Sequence, residues 1–366
     1  MKILQLGKFY PIKGGVEKVM MDLTQGLSAN GVECDMLCSS FKPVCYSLNP
    51  NSKLMAVKAW FKVASTMISP SLVLKLRTIA EDYDIIHVHH PDPMAAVALF
   101  LSGYNGKVVL HWHSDILKQR LLLHIYEPLQ KWLIKKADLI VGTTPIYVKE
   151  SKALRDVQFK VNFIPIGIHQ ICPNEEEVLK MRANFNNKKI IYSLGRLVEY
   201  KGYEYLIAAV ALLPDDYLLL IGGEGPLRDK LEKQIKKLKI ENKVKLLGYI
   251  PEDMFANFYG ACDLFCLSSI WKTEAFAIVQ IEAMSCGKPV VATQIPASGV
   301  SWVNKHGCSG VNVPVEDAVS LSKAIREILE NGNLYQRYAE GAKKRYFDNF
   351  TFQQMVDKCL KLYRQL

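Results

Sequence analysis

Short apolar runs alternate with helical patterns along the first half of the chain. The run KILQLG precedes a helix predicted over residues 16–30, and the runs VECDMLCSS, DIIHVHH, KVVLHWH, DLIVGTT and VNFIP follow it. Alternating strand and helix signals are typical of a parallel sheet covered by helices. The pattern therefore predicts an α/β fold whose first sheet is parallel.

The alternation pauses over residues 165–187, PIGIHQICPNEEEVLKMRANFNN, where Pro, Gly and Asn accompany a short acidic run. This composition is typical of a linker with a flanking helix. The alternation restarts with KIIYSLG, YLLLIGG, KVKLLGY, DLFCLSS and KPVVAT. We therefore predict a second open parallel sheet that faces the first across a cleft, with ligands at the carboxyl ends of the strands.

The bulk composition supports two folded domains. A chain of 366 residues exceeds the size at which a single core keeps growing, and 49% apolar with 22% charged residues is typical of a globular protein. The N-terminal apolar run is too short for a signal peptide, and no window reaches the roughly 18 consecutive apolar residues of a membrane span. These features predict a cytoplasmic protein.

The net charge of +10 is concentrated in the first half. Residues 1–170 contain 20 Lys/Arg and 13 Asp/Glu, whereas residues 171–366 contain 26 and 23. A basic surface suits nucleic acid, anionic lipid or phosphorylated substrates, and charge does not choose among them. No basic-aromatic module pattern appears, so nucleic acid is not expected as a partner.

One basic, apolar segment suggests a membrane contact. Residues 118–136, KQRLLLHIYEPLQKWLIKK, combine Leu, Ile and Trp with several Lys and Arg residues. Such a helix can lie on an anionic membrane. Peripheral contact with the inner membrane face is the expectation, and a helix packed on the core is the alternative.

Two motifs of the second half suggest a phosphate site. LGRLVEYKG, residues 194–202, follows a strand and opens a helix, so Arg196 and Lys201 are expected beside a helix N-terminus, where a diphosphate could bind. The next strand end, IGGEGPLRDK, lacks the GxGxxG spacing but suits a loop that approaches a nucleotide. Solvated surface charge is the alternative for the two basic residues.

The stretch TEAFAIVQIEAMSCGKPVVA places Glu274 and Glu282 on either side of seven uncharged residues. A helix that starts near Ala277 carries Glu282 on its second turn, up to about 12 Å from Glu274. This is the span from a sugar ring, across a diphosphate, to a ribose. Acids between the two would repel a diphosphate, whereas amides at the helix start attract it. Glu282 is thus expected to bind ribose hydroxyls and Glu274 the transferred sugar.

The first half offers fewer candidate groups. Gly14 and Gly15 follow the first strand where a helix begins, so their amides could approach a phosphate or sugar, or they could form a flexible turn. Asp82 and Asp84 form a D-x-D that precedes its strand at the amino edge, and we predict solvated surface there.

A histidine cluster lies on two predicted strands. Alternating strand residues cannot all reach the cleft, so we favour His113, nearest the loop, as a ligand-binding residue. His87 and His111 are expected to be buried and hydrogen-bonded. Metal binding by HVHH is conceivable, but no carboxylate or Cys partner has ligand spacing. The cluster comprises His87, His89, His90, His111 and His113.

Taken together, the E-x7-E pair, GRLVEYKG, GGEGPLR, GKPVVAT and the GG loop resemble retaining glycosyltransferases of family 4, which have the GT-B fold of two Rossmann-like domains. The resemblance covers essentially the whole chain. HWHSDILKQR, residues 111–120, is further similar to bacterial mannosyltransferases of surface-polysaccharide assembly. The expected domains are 1–167, a linker 168–187, a nucleotide-sugar domain 188–345, and a helix 346–366 that crosses back to the first domain.

The resemblance implies a role for each matching residue. Arg196 and Lys201 would neutralise the leaving nucleoside diphosphate, and His113 would reach the donor sugar. Where the family commonly has EGFG, this chain has EAFA, so a left-handed backbone there would be strained. The expected catalytic residues are Arg196, Lys201, Glu274 and His113, and the expected substrate-binding residues are Gly14, Gly15, Gly223, Glu224, Ala275, Phe276, Ala277, Ile278 and Glu282.

The implied reaction moves a hexose, with mannose from GDP-mannose as the best candidate, to a lipid-linked or growing surface polysaccharide. Preorganised positive charge would favour the transition state, so no metal or cofactor is expected. The alternatives are a UDP-sugar-dependent glycosyltransferase of the same fold, a sugar-nucleotide epimerase, and a sugar-nucleotide-binding regulator without catalysis.

Overall fold

The structure is a computed structural model that describes residues 1–12, 14–63, 66–116, 120–186 and 188–366, with side chains of the helix that begins at Arg120 described from residue 124 onward. The chain divides into two compact units. The first comprises Met1–Gly167 with Phe352–Leu366, and the second comprises Ile168–Thr351.

The first unit contains an eight-stranded sheet in the order β10-β9-β8-β7-β1-β2-β4-β3, and a separate two-stranded hairpin, β5-β6. All neighbours in the large sheet are parallel except β3 and β4, so the predicted parallel sheet is confirmed. The strands are β1 Lys2–Phe9, β2 Glu33–Ser40, β3 Val44–Asn49, β4 Ser52–Lys58, β5 Phe61–Val63, β6 Thr66–Ile68, β7 Ile85–His90, β8 Lys107–Trp112, β9 Leu139–Gly142 and β10 Val161–Phe163.

The central strands are buried on both faces because helices cover the parallel sheet. Every residue of β7 is buried. Side chains cap two of the helices: Asp92 accepts hydrogen bonds from the amides of Met94 and Ala95, and Thr144 accepts one from the amide of Tyr147. The helices are α1 Gly15–Ala29, α2 Pro70–Ile79, α3 Pro93–Ser102, α4 Arg120–Lys136 and α5 Pro145–Lys149.

The helix α4 is a core element of the first unit. Tyr126, Leu133 and Ile134 are buried, whereas Lys131 and Lys135 are exposed and Ile125 is the one exposed large apolar side chain among the described residues of this helix. Lys118 and the side chain of Arg120, which the membrane prediction also used, lie outside the described residues. The burial of Tyr126, Leu133 and Ile134 corresponds to the core-packed alternative, whereas Ile125 is exposed and Leu129 and Trp132 are half-buried.

The second unit contains a six-stranded parallel sheet in the order β13-β12-β11-β14-β15-β16, as the second alternation predicts. Its strands are β11 Lys189–Leu194, β12 Tyr217–Gly222, β13 Val244–Gly248, β14 Leu264–Leu267, β15 Val290–Thr293 and β16 Gly310–Val313. Its helices are α6 Glu175–Asn184, α7 Tyr203–Ala211, α8 Arg228–Leu238, α9 Glu252–Ala261, α10 Ile278–Ser285, α11 Val300–Val303, α12 Ala318–Glu330 and α13 Gly332–Asn349.

The described part of the segment predicted as a linker, 168–187, belongs to the second unit, while Asn187 lies outside the described residues. Helix α6 is anchored by Arg182, whose Nη1 lies 2.9 Å from a carboxylate oxygen of Asp263 and donates to the carbonyl of Ala261 at 2.7 Å. Met181 of α6 is buried. These contacts make the segment part of a packed unit rather than a free connection.

The return to the first unit begins at Phe352 rather than at residue 346. Helix α13 continues to Asn349 within the second unit, and a separate helix, α14 Phe352–Tyr363, packs in the first. Helices α14 and α1 approach so closely at Gly26 that a Cβ there would clash with the side chain of Val356. None of the described helices combines the length and the apolar character that crossing a bilayer requires.

Candidate active site

The loops after β11 and β12 form one layer at the carboxyl edge of the second sheet. The amide of Gly195 donates to the carbonyl of Gly222 at 3.0 Å, and the amide of Leu197 donates to that of Glu224 at 2.9 Å. Gly223 has a φ of +118°, and a Cβ there would clash with the carbonyl of Gly195. Only glycine fits this contact, so the GRLVEYKG and GGEGPLR motifs depend on each other.

The loop after β14, which leads to Glu274, packs against the GRLVEYKG loop. Gly202 has a φ of +62°, and a Cβ on it would clash with the carbonyl of Ser268. The Ser268 hydroxyl donates to the carbonyl of Lys201 at 2.9 Å. The turn Glu199–Lys201 is therefore fixed beside the end of β14, which is hydrogen-bonded to β11.

Lys201 and Glu274 form a buried ion pair. The Lys201 Nζ lies 2.6 Å from Glu274 Oε2, and the Ser269 hydroxyl donates to the same oxygen at 2.9 Å. The two residues are only 8% and 9% exposed. Burial lowers the pKa of Lys201, but the Glu274 carboxylate together with the nearby Tyr203 and Tyr200 more than offsets this, and the net pKa lies above the usual value. Lys201 is thus a fixed cation, and sequence reasoning did not foresee its pairing with Glu274.

The loop EAFA connects Glu274 to helix α10. Phe276 is buried, and its ring meets that of Phe350 edge to face at 5.9 Å. Ala277 caps α10 with a φ of +62°, whereas Ala275 is not among the positive-φ residues, so the expected left-handed strain falls on Ala277 alone. Ile278 is the first residue of α10, and no acid occupies the first turn. The free amides there can attract an anion.

Glu282 lies on the second turn of α10, as predicted, and is half-buried. The hydroxyl of Tyr259, on α9, donates to Glu282 Oε2 at 2.6 Å. Burial, followed by the nearby Glu282 charge, raises the pKa of Tyr259 well above its usual value, so this phenol stays a donor. Tyr259 is a second residue that sequence reasoning missed, because the contact depends on the packing of α9 against α10.

Arg196 and Glu224 are exposed on the layer of glycine loops. Within the part of the chain that the structure describes, the Arg196 guanidinium has no ion-pair or hydrogen-bond partner. An uncommitted guanidinium beside a buried ammonium can bind an anionic group with two hydrogen bonds. The second unit thus joins the GRLVEYKG and GGEGPLR loops to each other and pairs the first of them with Glu274.

In the first unit, Gly14 caps helix α1 and Gly15 is its first residue, so the predicted helix start is confirmed. Gly14 has an extended backbone, with a φ of −141°. A Cβ there would lie 2.5 Å from a carboxylate oxygen of the buried Glu17. Sequence reasoning missed Glu17. An acid in this first turn opposes a phosphate and suits hydroxyl groups instead.

His113 follows β8 and is held by a directed chain of hydrogen bonds. Its Nε2 lies 2.9 Å from Nδ1 of His89, and the Nε2 of His89 lies 2.7 Å from the amide oxygen of Gln5. Burial holds the pKa of both histidines well below the usual value, so both rings are neutral. A carbonyl oxygen only accepts, so His89 carries its proton on Nε2 and its Nδ1 accepts from His113.

This tautomer leaves Nδ1 of His113 as a hydrogen-bond acceptor, and it has no partner among the described residues. The amide nitrogen of Gln5 donates to the Tyr363 hydroxyl of α14 at 3.2 Å, and that hydroxyl contacts Nδ1 of His87. Helix α14 therefore supports the orientation of Gln5. A neutral His113 can accept a hydrogen bond from a hydroxyl group at Nδ1 but carries no positive charge.

The expectation of hydrogen-bonded histidines holds for His87 but is wrong for His111. Neither ring nitrogen of His111 has a partner among the described residues, although the residue is buried. Its ring stacks on that of His113 with centroids 4.0 Å apart and planes inclined by 13°. Ring nitrogens donate and accept in the ring plane, so this face-to-face packing does not satisfy them.

His89, His111 and His113 are close enough to raise the question of a metal, since their nearest ring nitrogens lie within 4.8 Å of one another. Zn–N bonds of about 2.1 Å hold two ligand nitrogens no more than about 4.2 Å apart, and the lone pairs must converge on one point. Stacked rings aim their lone pairs along nearly parallel planes. The arrangement suits the hydrogen-bonded network better than a metal.

The family models and a related chain decide the family. The model for "Glycosyl transferases group 1" matches residues 174–345, and the model for "Glycosyltransferase Family 4" matches residues 13–170. An N-acetylgalactosaminyltransferase of Campylobacter jejuni that acts on N-acetylgalactosamine-N,N'-diacetylbacillosaminyl-diphospho-undecaprenol is 35% identical over 287 residues, 75% of this chain and 76% of that protein. The chain belongs to these glycosyltransferases.

A second relative of the glycosyltransferase is similar over its full length. The O-antigen chain mannosyltransferase C of Escherichia coli is 29% identical over 376 residues, which cover 100% of this chain and 99% of that protein. The sucrose-phosphate synthase of Thermosynechococcus elongatus has the same fold, with a TM-score of 0.81 at 22% identity over 100% of this chain and 99% of that one. The GT-B fold and the glycosyltransferase class expected from sequence are confirmed.

Proposed function

We propose that this glycosyltransferase moves mannose from GDP-mannose, with retention of anomeric configuration, to a lipid-linked or growing surface polysaccharide. The end-to-end similarity to the Escherichia coli O-antigen mannosyltransferase carries this proposal. The name of the Campylobacter jejuni relative, which specifies a diphospho-undecaprenol acceptor, supports the lipid-linked alternative for the acceptor. Family membership favours transfer over epimerisation or ligand binding without catalysis.

The second unit supplies the groups that the donor requires. Cleavage of the anomeric C–O bond leaves negative charge on the diphosphate, and Arg196, the buried Lys201 and the amides at the start of α10 stabilise that charge without reorganisation. Glu282, held by Tyr259, accepts hydrogen bonds from the ribose hydroxyls. Glu274 accepts them from the sugar while it orients Lys201. These fixed positive charges stabilise the leaving diphosphate as a metal ion would, so we propose a metal-independent reaction without a cofactor.

Retention requires that the acceptor hydroxyl enters on the face that the diphosphate leaves. The bond from the anomeric carbon to the diphosphate oxygen breaks, the bond to the acceptor oxygen forms, and a donor phosphate oxygen takes the hydroxyl proton. For the first unit we propose that Nδ1 of His113 accepts a hydrogen bond from a sugar hydroxyl. Gly14 and Gly15, beside Glu17, suit the sugar better than the diphosphate.

The test is a binding panel of GDP, UDP and ADP with GDP-mannose and UDP-glucose, read as thermal shifts. A ligand that binds the folded state raises its stability by mass action. We expect a shift selective for GDP that is lost in Glu282→Ala and kept in Glu327→Ala, an exposed acid on α12 of the same unit. No shift with any nucleotide would reject the proposed site.

Transfer assays then test the chemistry. We expect turnover of GDP-mannose in the presence of EDTA, and product NMR should show the anomeric configuration of the donor. A shift and turnover selective for UDP would instead favour the UDP-sugar alternative, and the Campylobacter jejuni relative directs attention to N-acetylhexosamine donors in that case. Inverted product would overturn the proposed retention while leaving the enzyme class intact.

A further inference from the structure

The first unit exposes a group of large apolar side chains beside lysines. Phe41 is 53% exposed, Trp60 64%, Phe61 51% and Val63 46%. These values are high for aromatic and branched side chains, which are usually buried. We call this surface the aromatic-lysine patch and define it as Phe41, Lys42, Lys58, Trp60, Phe61, Lys62 and Val63, all of which are exposed.

The patch is continuous across two segments of the chain. The amide of Ala59 donates to the carbonyl of Ser40 at 2.8 Å, which joins the end of β4 to the end of β2 and brings Trp60 near Phe41. The amide of Trp60 donates to the carbonyl of Ile68 at 2.9 Å and so starts the hairpin of β5 and β6. A short hairpin that projects two aromatic residues is poorly suited to remain uncovered in water.

The chain segment that forms the patch carries charge of one sign. Residues 36–80 contain six Lys or Arg residues and no Asp or Glu. Within the described chain, Lys42, Lys58 and Lys62 form no ion pair with a carboxylate, and Lys62 instead lies 4.3 Å from the ring centroid of Phe9. A chain segment without acids that exposes three lysines unpaired with carboxylates favours an anionic partner.

We propose that the aromatic-lysine patch docks on the surface of an anionic lipid bilayer. Aromatic side chains settle at the level of the headgroups, where their apolar bodies are buried, while lysines next to them contact lipid phosphates. A second copy of the chain fits less well, because a symmetric contact would place lysines against lysines. A neutral soluble glycan would leave the lysines without a role.

The patch lies at the edge where β1, β2 and β4 end, and Gly14 follows β1 at the same edge. Because parallel strands carry their loops at one edge, a bilayer docked here would hold a lipid-linked acceptor near the groups of the first unit. Only this consequence rests on the proposed function, since vesicle binding does not require a reaction. The patch is a site separate from α4, whose Tyr126, Leu133 and Ile134 are buried in the core.

Vesicle sedimentation with the full chain tests the proposal. Wild type is compared on neutral phosphatidylcholine vesicles and on vesicles that also contain the anionic lipid phosphatidylglycerol. We expect binding to the anionic vesicles only, weakened by salt. Trp60→Ser with Phe61→Ser should lower binding at least about tenfold, and Lys42→Gln or Lys58→Gln about fivefold each, the effect of one lysine at such a surface.

Matched controls come from other exposed positions. Phe159→Ser removes an 86% exposed aromatic of the first unit, and Lys236→Gln with Lys237→Gln removes exposed charge from α8. Both should bind vesicles like wild type. Equal losses in controls and patch variants, or equal binding to neutral vesicles, would overturn the proposal.

Two further measurements test whether a different partner binds the aromatic-lysine patch. A shift from dimer to monomer on mutation of the patch, measured by analytical ultracentrifugation, would assign it to a second copy and overturn the bilayer proposal. Retention on single-stranded DNA with no vesicle binding would also overturn it. The nucleotide thermal shift is measured on the same variants. Lost vesicle binding with an intact nucleotide shift supports the patch, whereas absent nucleotide binding with intact vesicle binding counts only against the proposed reaction.

Discussion

At the scale of single residues, the ion pair of Lys201 and Glu274 should affect both the stability of the fold and the rate of the proposed reaction. Removing one partner of a buried ion pair leaves the other charge uncompensated, which costs about 3–5 kcal/mol. Lys201→Ala should therefore lower the free energy of unfolding by about that amount, and the added Glu274→Gln substitution should recover part of it. If Lys201 contacts the donor diphosphate, the rate should also fall at least about 100-fold. Chemical denaturation and donor turnover measure the two effects.

Lys180 provides the control, because it pairs with Glu176 and Glu177 on the exposed surface of α6 in the same unit. Exposed pairs contribute about 0–1 kcal/mol, so Lys180→Ala should leave both stability and turnover nearly unchanged. A similar stability loss in the two variants would mean that the Lys201 pair is not buried in solution. Normal turnover in a folded Lys201→Ala protein would remove Lys201 from the proposed site.

Sequence reasoning selected the site residues one at a time but could not see their contacts. Lys201 and Glu274 are 73 positions apart, and they meet because β14 lies beside β11 in the sheet. The same limit applies to Gln5, which reaches His89 because β1 lies beside β7. Residue type and strand-end position can be predicted from local sequence, whereas strand order decides which side chains become neighbours.

At the scale of elements, the start of α10 shows what it costs to have alanine where the family commonly has glycine. Ala277 has a left-handed backbone, which costs an L-residue about 1–2 kcal/mol. Ala277→Gly removes this strain but loses a buried methyl group and adds freedom to the unfolded chain, so stability should change by less than about 1 kcal/mol. Ala275→Gly, without positive φ, gains nothing and should lose about 1–1.5 kcal/mol. Urea denaturation compares the two.

The contrast between these alanines is the informative result. If Ala277→Gly and Ala275→Gly lose equal stability, then the start of α10 is not left-handed in solution. A further substitution, Ala277→Val, should cost more than about 2 kcal/mol, because a β-branched residue tolerates positive φ poorly. Near-normal stability of that variant would contradict the same geometry.

Eleven of the described strands were predictable from local apolar runs, and the other five were not. The helix expected at 16–30 is Gly15–Ala29, and all eleven quoted apolar runs correspond to strands of the two sheets. The strands from β3 to β6 and strand β16 went unforeseen, although β3 and β4 are longer than several strands that were predicted. The acidic segment 175–184 has the composition of a linker, but Arg182 and Met181 anchor it. Packing against another element overrides local composition there.

At the scale of the whole molecule, histidines are distributed unequally between the two units. The first unit contains six of the eight, and five of those six are buried, whereas the second contains only His169 and His306. Burial lowers the pKa of His90 and of His111 to about 3, and holds the others of the buried cluster well below the usual value. The acid sensitivity of the molecule should therefore reside in the first unit.

The sign follows from proton linkage. A buried histidine that stays neutral in the folded state binds a proton near pH 6.5 only after unfolding, so its stabilisation is complete above that pH and is lost as the pH falls. Each such histidine lowers the free energy of unfolding by up to about 1.4 kcal/mol for every pH unit below about 6.5. Between pH 7.5 and pH 5, amide exchange corrected for its intrinsic rate should accelerate in the first unit far more than in the second.

Because two units need not unfold together, the exchange must be resolved by segment rather than as one transition. His111→Phe is the informative variant, since its ring makes no hydrogen bond to the described residues and stacking on His113 can persist. Removing one titrating group should reduce the acid-induced loss of protection in the first unit while the second stays unchanged. Equal acceleration in both units at pH 5, or an undiminished loss in His111→Phe, would show that the buried histidines do not control the acid response.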